Sequence, residues 1–431
     1  MALVVWNGGG VAPVAEVKTL TITAVAAGQV VGVVINGKEV SYTATGTDTA
    51  VTAATALAAA LAASTIPEFA EVGTGWSNAD ASGNPTATVT GRHQAPGTPW
   101  SAAVSGDTTA AVTPAAGSPL ATTTAAVGPN FVDQPANWST GSLPGTGDDV
   151  VFERSGVDAL YGLTHFAATA FNSLTVRQSF TGAIGLSATN GGSGSTVAPG
   201  ASGGYTEYRP RYLQLGGNPP VTIGEGGGTG SGRVNLQVGT GGCVVNVLAT
   251  GNPSDDPGAA VNLLNSGTGN TLNVTSGSVG VAGEGATQSA GFAAVSLSGG
   301  AVTIGSGATV GAVSHEGGTL DCAASPGGTL TMARTAGTAT YRGPGPLTAA
   351  VYGGTLVYLS NGALTLTASG PTAKIDLSQD PRAKTLTNTS TVGGGAVLYD
   401  PAATLTAATV TFDDLSLAKA VLGPVAKLVR P

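Results

Sequence analysis

Two pairs of carboxylates have the residue types and spacing closest to chemistry in this chain: Glu316 with Asp321, and Asp376 with Asp380. Glycoside hydrolysis needs two such groups about 5–10 Å apart, one to protonate the leaving oxygen and one to attack or to activate water. Glu316 and Asp321 flank a strand-like stretch and would project onto one face. Aspartates also gather at turns, where the carboxylate bonds nearby backbone. Aromatic platforms for sugar rings are few here, namely Tyr341, Tyr352 and Tyr358. The three histidines, His93, His165 and His315, stand apart with no metal-ligand spacing, and no Gly-x-Ser-x-Gly elbow joins a strand to a helix. The loop Gly224-Glu-Gly-Gly-Gly-Thr-Gly-Ser-Gly232 lacks the Gly-Lys-Ser/Thr and Gly-x-Gly-x-x-Gly patterns of phosphate binders, and no helix follows it, so it reads as a corner loop. Tyr205-Thr-Glu-Tyr208-Arg-Pro-Arg211-Tyr-Leu is densest in charge and aromatics. It is either a binding patch or a belt in which Arg209 or Arg211 pairs with Glu207 while the tyrosines pack on the protein body. We expect no catalytic, cofactor-binding or metal residues, and no enzyme.

The elements that would carry these residues are short strands. Gly299-Gly300-Ala-Val-Thr-Ile, Gly317-Gly318-Thr-Leu, Gly327-Gly328-Thr-Leu, Gly353-Gly354-Thr-Leu and Asn361-Gly362-Ala-Leu repeat a glycine turn followed by an alternating strand. With Gly300, Gly318, Gly337, Gly354 and Gly370 as corners, the intervals are 18, 19, 17 and 16 residues. Such a period without helix signals predicts stacked rungs of a right-handed parallel β-helix, or solenoid.

Residues 1–105 read as a small α+β domain. Val17 to Ala24 alternates as a strand, and Val30 to Ile35 enters the hairpin turn Asn36-Gly37 and returns through Val40 to Thr45. Thr47 or Asp48 caps a helix carrying Val51, Ala54, Leu57 and Leu61 on one face, which Pro67 stops. Strands are expected at Phe69 to Val72 and Thr86 to Thr90. Residues 106–128 are a linker or a last strand of that domain. The solenoid spans 129–414, with Trp138 covering its open end and Asp148 and Asp149 at a turn; Gly191 to Gly204 is an exposed loop. Residues 415–431 form a C-terminal cap or an arm reaching a neighbouring chain.

Glycine contributes 68 of 431 residues and charged residues only 9%, against a usual ~25% charged. That sparse charge suits a surface covered in an assembly. Net charge −8 with no basic cluster beyond Arg209 and Arg211 argues against nucleic acid. Cys243 and Cys322 read as buried thiols. The start Met1-Ala-Leu-Val-Val-Trp lacks a secretory pattern, and the apolar run Ala50 to Ala63 is shorter than the ~20 residues a membrane span needs. The expectation is a soluble chain made in the cytoplasm.

The block Val30 to Ile35, Asn36-Gly37-Lys38, Tyr42, Leu57 to Leu61 and Pro67-Glu-Phe69 resembles a small module of tailed-phage virion proteins. Asn137-Trp-Ser, Asp148-Asp-Val-Val-Phe, Tyr161-Gly-Leu, Gly182-Ala-Ile-Gly-Leu, Tyr205 to Tyr212 and Gly230-Ser-Gly-Arg233 are similar to a group of phage and prophage structural proteins. The resemblance implies virion membership as a homotrimer and supplies no catalytic motif. The expected role is a capsid decoration or cement protein bound to the major capsid protein, with no cofactor, nucleic acid or membrane partner. The alternative is a tail fibre or tailspike that binds, or cleaves, host polysaccharide.

Overall fold

The computed structural model describes residues 2–81, 83–190, 204–253, 258–265, 267–283, 288–332, 337–387, 389–405, 410–422 and 428–429. Strands take 41% of it and helices 9%, so the protein is mainly β. Its larger part is a pair of long parallel sheets, one of 15 described strands and one of 11, consistent with a β-solenoid. From Leu213 to Leu386 successive strands alternate between them. Val261–Leu264 and Ser278–Val281 join the smaller sheet, whereas Asn270–Val274 and Ala290–Leu297 join the larger.

The period-two pattern sets the register, because a one-residue slip would turn every apolar side chain outward. Val245, Leu272, Val295, Val313, Leu330, Ala349 and Leu366 therefore lie one above another, all buried. They belong to one apolar cluster running from Val4 to Phe412. Tyr341 and Tyr358 stack inside it with centroids 5.6 Å apart, and their hydroxyls donate to Gly345 O and Gly362 O.

The corners form a second ladder. Gly300, Gly318, Gly337 and Gly354 all have positive φ, and the amides of Thr319, Thr338 and Thr355 donate to the carbonyls of Gly300, Gly318 and Gly337. Lys374 N then bonds Gly354 O. The fifth place in this column is thus Ala373, not Gly370, and the last step matches its predecessors in length. Gly370 also has positive φ but lies in the turn just before. Gly318 shows why glycine is needed: φ is +81°, and a Cβ would lie 2.2 Å from Gly300 O. Gly318→Ala is expected to cost at least about 1–3 kcal/mol, read as a lower melting temperature; an unchanged melt would refute the ladder.

The small module is antiparallel. Val17–Ala24 pairs with Ala87–Arg92, Ala111–Thr113 and Ala121–Thr124, while Val30–Ile35 pairs with Lys38–Thr43 and Ala103–Gly106. The stretch 106–128 therefore supplies sheet strands. Asn36 and Gly37 take the positive φ values of the predicted hairpin. Helix Ala50–Ala62 buries Val51, Ala54, Leu57 and Leu61, but its cap is Thr49, whose hydroxyl accepts from Thr52 N. Asp48 supports that turn from outside by accepting from Thr45 N and the Tyr42 hydroxyl. Pro67 opens a second short helix, Pro67–Ala70, so the strand expected at Phe69 to Val72 is absent from that place. Proline suits a first helical turn, where its missing N–H costs nothing.

Residues 3–6 depart furthest from expectation. Leu3–Trp6 pairs in parallel with Asp149–Phe152 as the first strand of the 15-stranded sheet, not with the module. The module is spliced between the first two strands of that sheet. Trp138 does close this end, together with Trp6, Phe152 and Phe166. Asp148 accepts from Ala2 N and Gly145 N, holding the turn. At the other end, Asp414–Lys419 is a short helix capped by Asp413, and Val421–Leu422 and Leu428–Val429 add to the two sheets. The described part of the tail extends the stack. The loop expected at Gly191 to Gly204 lies, but for its last residue, outside the described residues.

Candidate functional site

The carboxylate pairs are separated or engaged. Glu316 follows a strand of the larger sheet at an exposed corner, whereas Asp321 belongs to the smaller sheet, so they do not share a face. Asp321 accepts from Arg342 Nε at 2.9 Å. Asp376 accepts from Lys374 Nζ at 2.9 Å and from the Ser378 amide and hydroxyl. Burial raises its pKa, but the Ser378 and Lys374 bonds outweigh that and hold it below the ordinary value. Asp380 is clasped by Arg382 and Lys384, and the Arg382 bond chiefly holds its carboxyl well below the usual range. A general acid needs the opposite shift. Two of the three tyrosines proposed as sugar platforms are the interior pair Tyr341 and Tyr358; Tyr352 alone is exposed, at 48%.

The remaining motifs also have structural partners. His315 is buried with Nε2 3.2 Å from Gly318 O, and burial holds it below its ordinary pKa despite that contact. His165 packs edge-on to Phe166. In the glycine loop, Gly230 N donates to Gln178 O of the preceding rung, and a Cβ at Gly228 would lie 2.1 Å from the same oxygen, which marks a corner. Among the described residues no three His, Cys, Asp or Glu side chains converge to hold a metal ion, and no helix is long and apolar enough to cross a membrane.

Both cysteines are free and buried. Cys243 Sγ donates to Pro219 O and Cys322 Sγ to Ala324 O; burial pushes the thiols up to about 11 and about 12. Because the thiolate is the reactive form, Ellman's reagent at pH 8 should modify neither in the folded protein and both after guanidinium unfolding. Reaction before unfolding would contradict their burial.

One charged cluster is built into the interior, where the module meets the stack. The belt segment supplies Tyr205, Glu207, Tyr208 and Arg209; the module supplies Glu71 and His93. Arg209 donates through Nε and Nη2 to both oxygens of Glu207 at 2.8 Å, through Nη2 to Glu71 at 3.2 Å, and through Nη1 to Pro99 O at 3.1 Å. Tyr205 and Tyr208 hydroxyls donate to the two Glu71 oxygens, and His93 Nε2 lies 3.6 Å from Glu71. The predicted Arg209–Glu207 pairing is present, but Tyr208 packs on the module's core rather than on the stack. Burial raises the Glu71 pKa, yet His93, Arg209 and Tyr205 outweigh it and hold the carboxyl below its ordinary value. Burial also raises both tyrosines far above theirs. The cluster is a set of charge-assisted bonds that ties the module to the stack.

Beside it lies a largely apolar cavity of about 230 Å³, lined by Trp100, Leu160, Tyr161, Leu163, Tyr208 and Pro210 among others. Sequence reasoning missed Glu71 and read His93 as an isolated histidine. The available signal was acids set among apolar residues in Pro67-Glu-Phe-Ala-Glu71-Val: Glu68 is buried as well, accepting from Asn36 and pairing with Lys38. No protein family matches this chain, and no curated protein or solved structure is significantly similar to it.

Proposed function

We propose that the chain is a non-catalytic structural protein of a tailed-phage virion, a homotrimeric decoration protein that binds the major capsid protein and braces the head. In this reading the two sheets close into a right-handed solenoid. The observation that carries it is mechanical. The module is spliced into the first turn of the stack and joined to it by the buried Glu71–Arg209–Glu207 cluster, an arrangement suited to bearing load. Three of the four carboxylates best placed for chemistry, Asp321, Asp376 and Asp380, are engaged by local cations, which fits a passive role. Sparse surface charge fits extensive coverage by neighbours.

A second reading, a tail fibre or tailspike, draws on one feature. Glu316 and Tyr352 occupy equivalent corner positions two rungs apart, about 10 Å at the spacing of neighbouring strands, and an acid beside an aromatic ring suits a sugar. Gold-labelled antibody microscopy of intact virions separates the readings. Label over the head supports decoration; label confined to the tail supports glycan binding; absence from the virion overturns both. New reducing or unsaturated ends after incubation with capsular polysaccharide would overturn the non-catalytic role.

A further inference from the structure

We propose that the outer face of the 15-stranded sheet is the surface on which copies of this chain pack together, three around an axis parallel to the stack. The inference rests on the trimeric reading above and names its interface. One outward column, followed strand by strand, reads Thr175, Thr222, Asn246, Asn273, Ser296, Ser314, Thr331, Ala350, Thr367, Thr391 and Thr411. No side chain in this column is charged, and none is larger than asparagine. The neighbouring outward column carries Val244, Thr271, Ala294 and Ala312, then Thr348 and Thr365.

The smaller sheet differs. Its outward columns carry Asp321, Asp376 and Lys374. In a chain of net charge −8, two central columns free of charge over these rungs, with Arg177, Glu225 and Glu316 confined to the margin, avoid the like-charge repulsion that keeps copies apart. Small side chains also let sheets approach to the ~10 Å of face-to-face packing.

Exposed apolar residues mark the same face. Leu3 and Val244 lie in its second column, at 62% and 39% exposed, with Asp149 between them bonded to Ser173, and Leu248 and Tyr352 stand at its margin, at 40% and 48%. Among the described residues, each stays open to solvent over more than a third of its surface. The face is about 50 Å long at the 4.8 Å strand spacing and about 12 Å wide. Its flat footprint of ~600 Å², which a three-fold arrangement divides between two neighbours, compares with ~800 Å² per partner in a standard two-body interface, before side-chain relief is added.

The test is native mass spectrometry at micromolar concentration on the wild-type chain, on Thr331→Arg/Thr367→Arg and on the control Thr303→Arg, whose site is on the outer face of the smaller sheet. Buried like charges should raise the dissociation constant at least about a hundredfold, so the double variant appears as monomer while the control remains trimeric. Should the double variant misfold, Thr331→Cys and Thr303→Cys give a second reading in the otherwise native chain. A maleimide should label the first at least about tenfold more slowly than the second. A trimer that survives both arginines, or equal labelling of the two cysteines, overturns this interface while leaving the trimer standing. A monomeric wild type overturns the trimer and the interface together.

Discussion

Arg209→Met is expected to destabilise the junction by about 3–5 kcal/mol, the cost of removing one partner from a buried ion pair. The guanidinium faces two buried carboxylates, Glu71 and Glu207. Its loss takes the guanidinium from both buried carboxylates and leaves Glu71 with the Tyr205 and Tyr208 hydroxyls and His93. The methionine retains the apolar bulk, so packing loss contributes little. The contrast is Arg342→Met: that arginine and Asp321 are half-exposed, and exposed pairs contribute about 0–1 kcal/mol. Hydrogen exchange should show the segment around Glu71 and His93 opening faster in Arg209→Met and unchanged in Arg342→Met. Equal behaviour of the two variants would sink the claim that the cluster holds the module. Acid should act on the same point. The folded-state pKa of Glu71 lies below its ordinary 4.5, so its stabilising contribution is full above that value. It is lost as pH falls from about 4.5 through the folded value. The module should therefore loosen on the acid side of 4.5, and a junction equally protected at pH 3 and pH 6 would contradict the assignment.

The parts of this fold legible in the chain are those fixed by local chemistry. Asn36-Gly37 can hold two successive positive φ values, which a tight hairpin needs, so it was readable in isolation. The corner glycines were readable for the same reason, and their spacing implied stacking before any partner was known. The misplaced fifth corner is instructive. Gly370 has the conformation that sequence reading looks for, but the column is defined by the amide of Lys374 reaching Gly354 O, and a backbone bond one rung away leaves no trace in residue type. Leu3–Trp6 was misassigned on similar grounds. A four-residue apolar strand fits either sheet, and its choice depends on Asp149–Phe152 more than a hundred residues later. The Glu71 cluster was half visible: Arg209 and Glu207 are neighbours in sequence, whereas Glu71 and His93 reach them only through the splice. The supposed sugar-binding tyrosines failed because an aromatic at a strand position faces in or out by register alone.

Trp6→Ala is expected to cost about 3–5 kcal/mol, the range for emptying the site of a large buried aromatic, and where the damage falls tests the topology. Trp6 is fully buried, edge-on to Trp138 at 5.2 Å and against Phe152 at 5.9 Å, with Nε1 donating to Val157 O. Every one of those partners belongs to the stack. If residues 3–6 were part of the module, the substitution would free the exchange-protected amides of Val17–Ala24 and spare Asp149–Phe152. With Leu3–Trp6 as the first rung, the order reverses: Asp149–Phe152 loses its outer neighbour and its aromatic cover, while the module's own core, built on Leu20, Val33, Leu57 and Phe69, keeps its contacts. Trp76→Ala supplies the mirror experiment, because Trp76 packs on Trp100 within the module. Hydrogen exchange on the two variants should give complementary maps. A Trp6→Ala protein that melts like wild type, or one that loosens only the module, would remove the first rung from the stack. It would also remove the splice that places the module between the first two strands of the larger sheet.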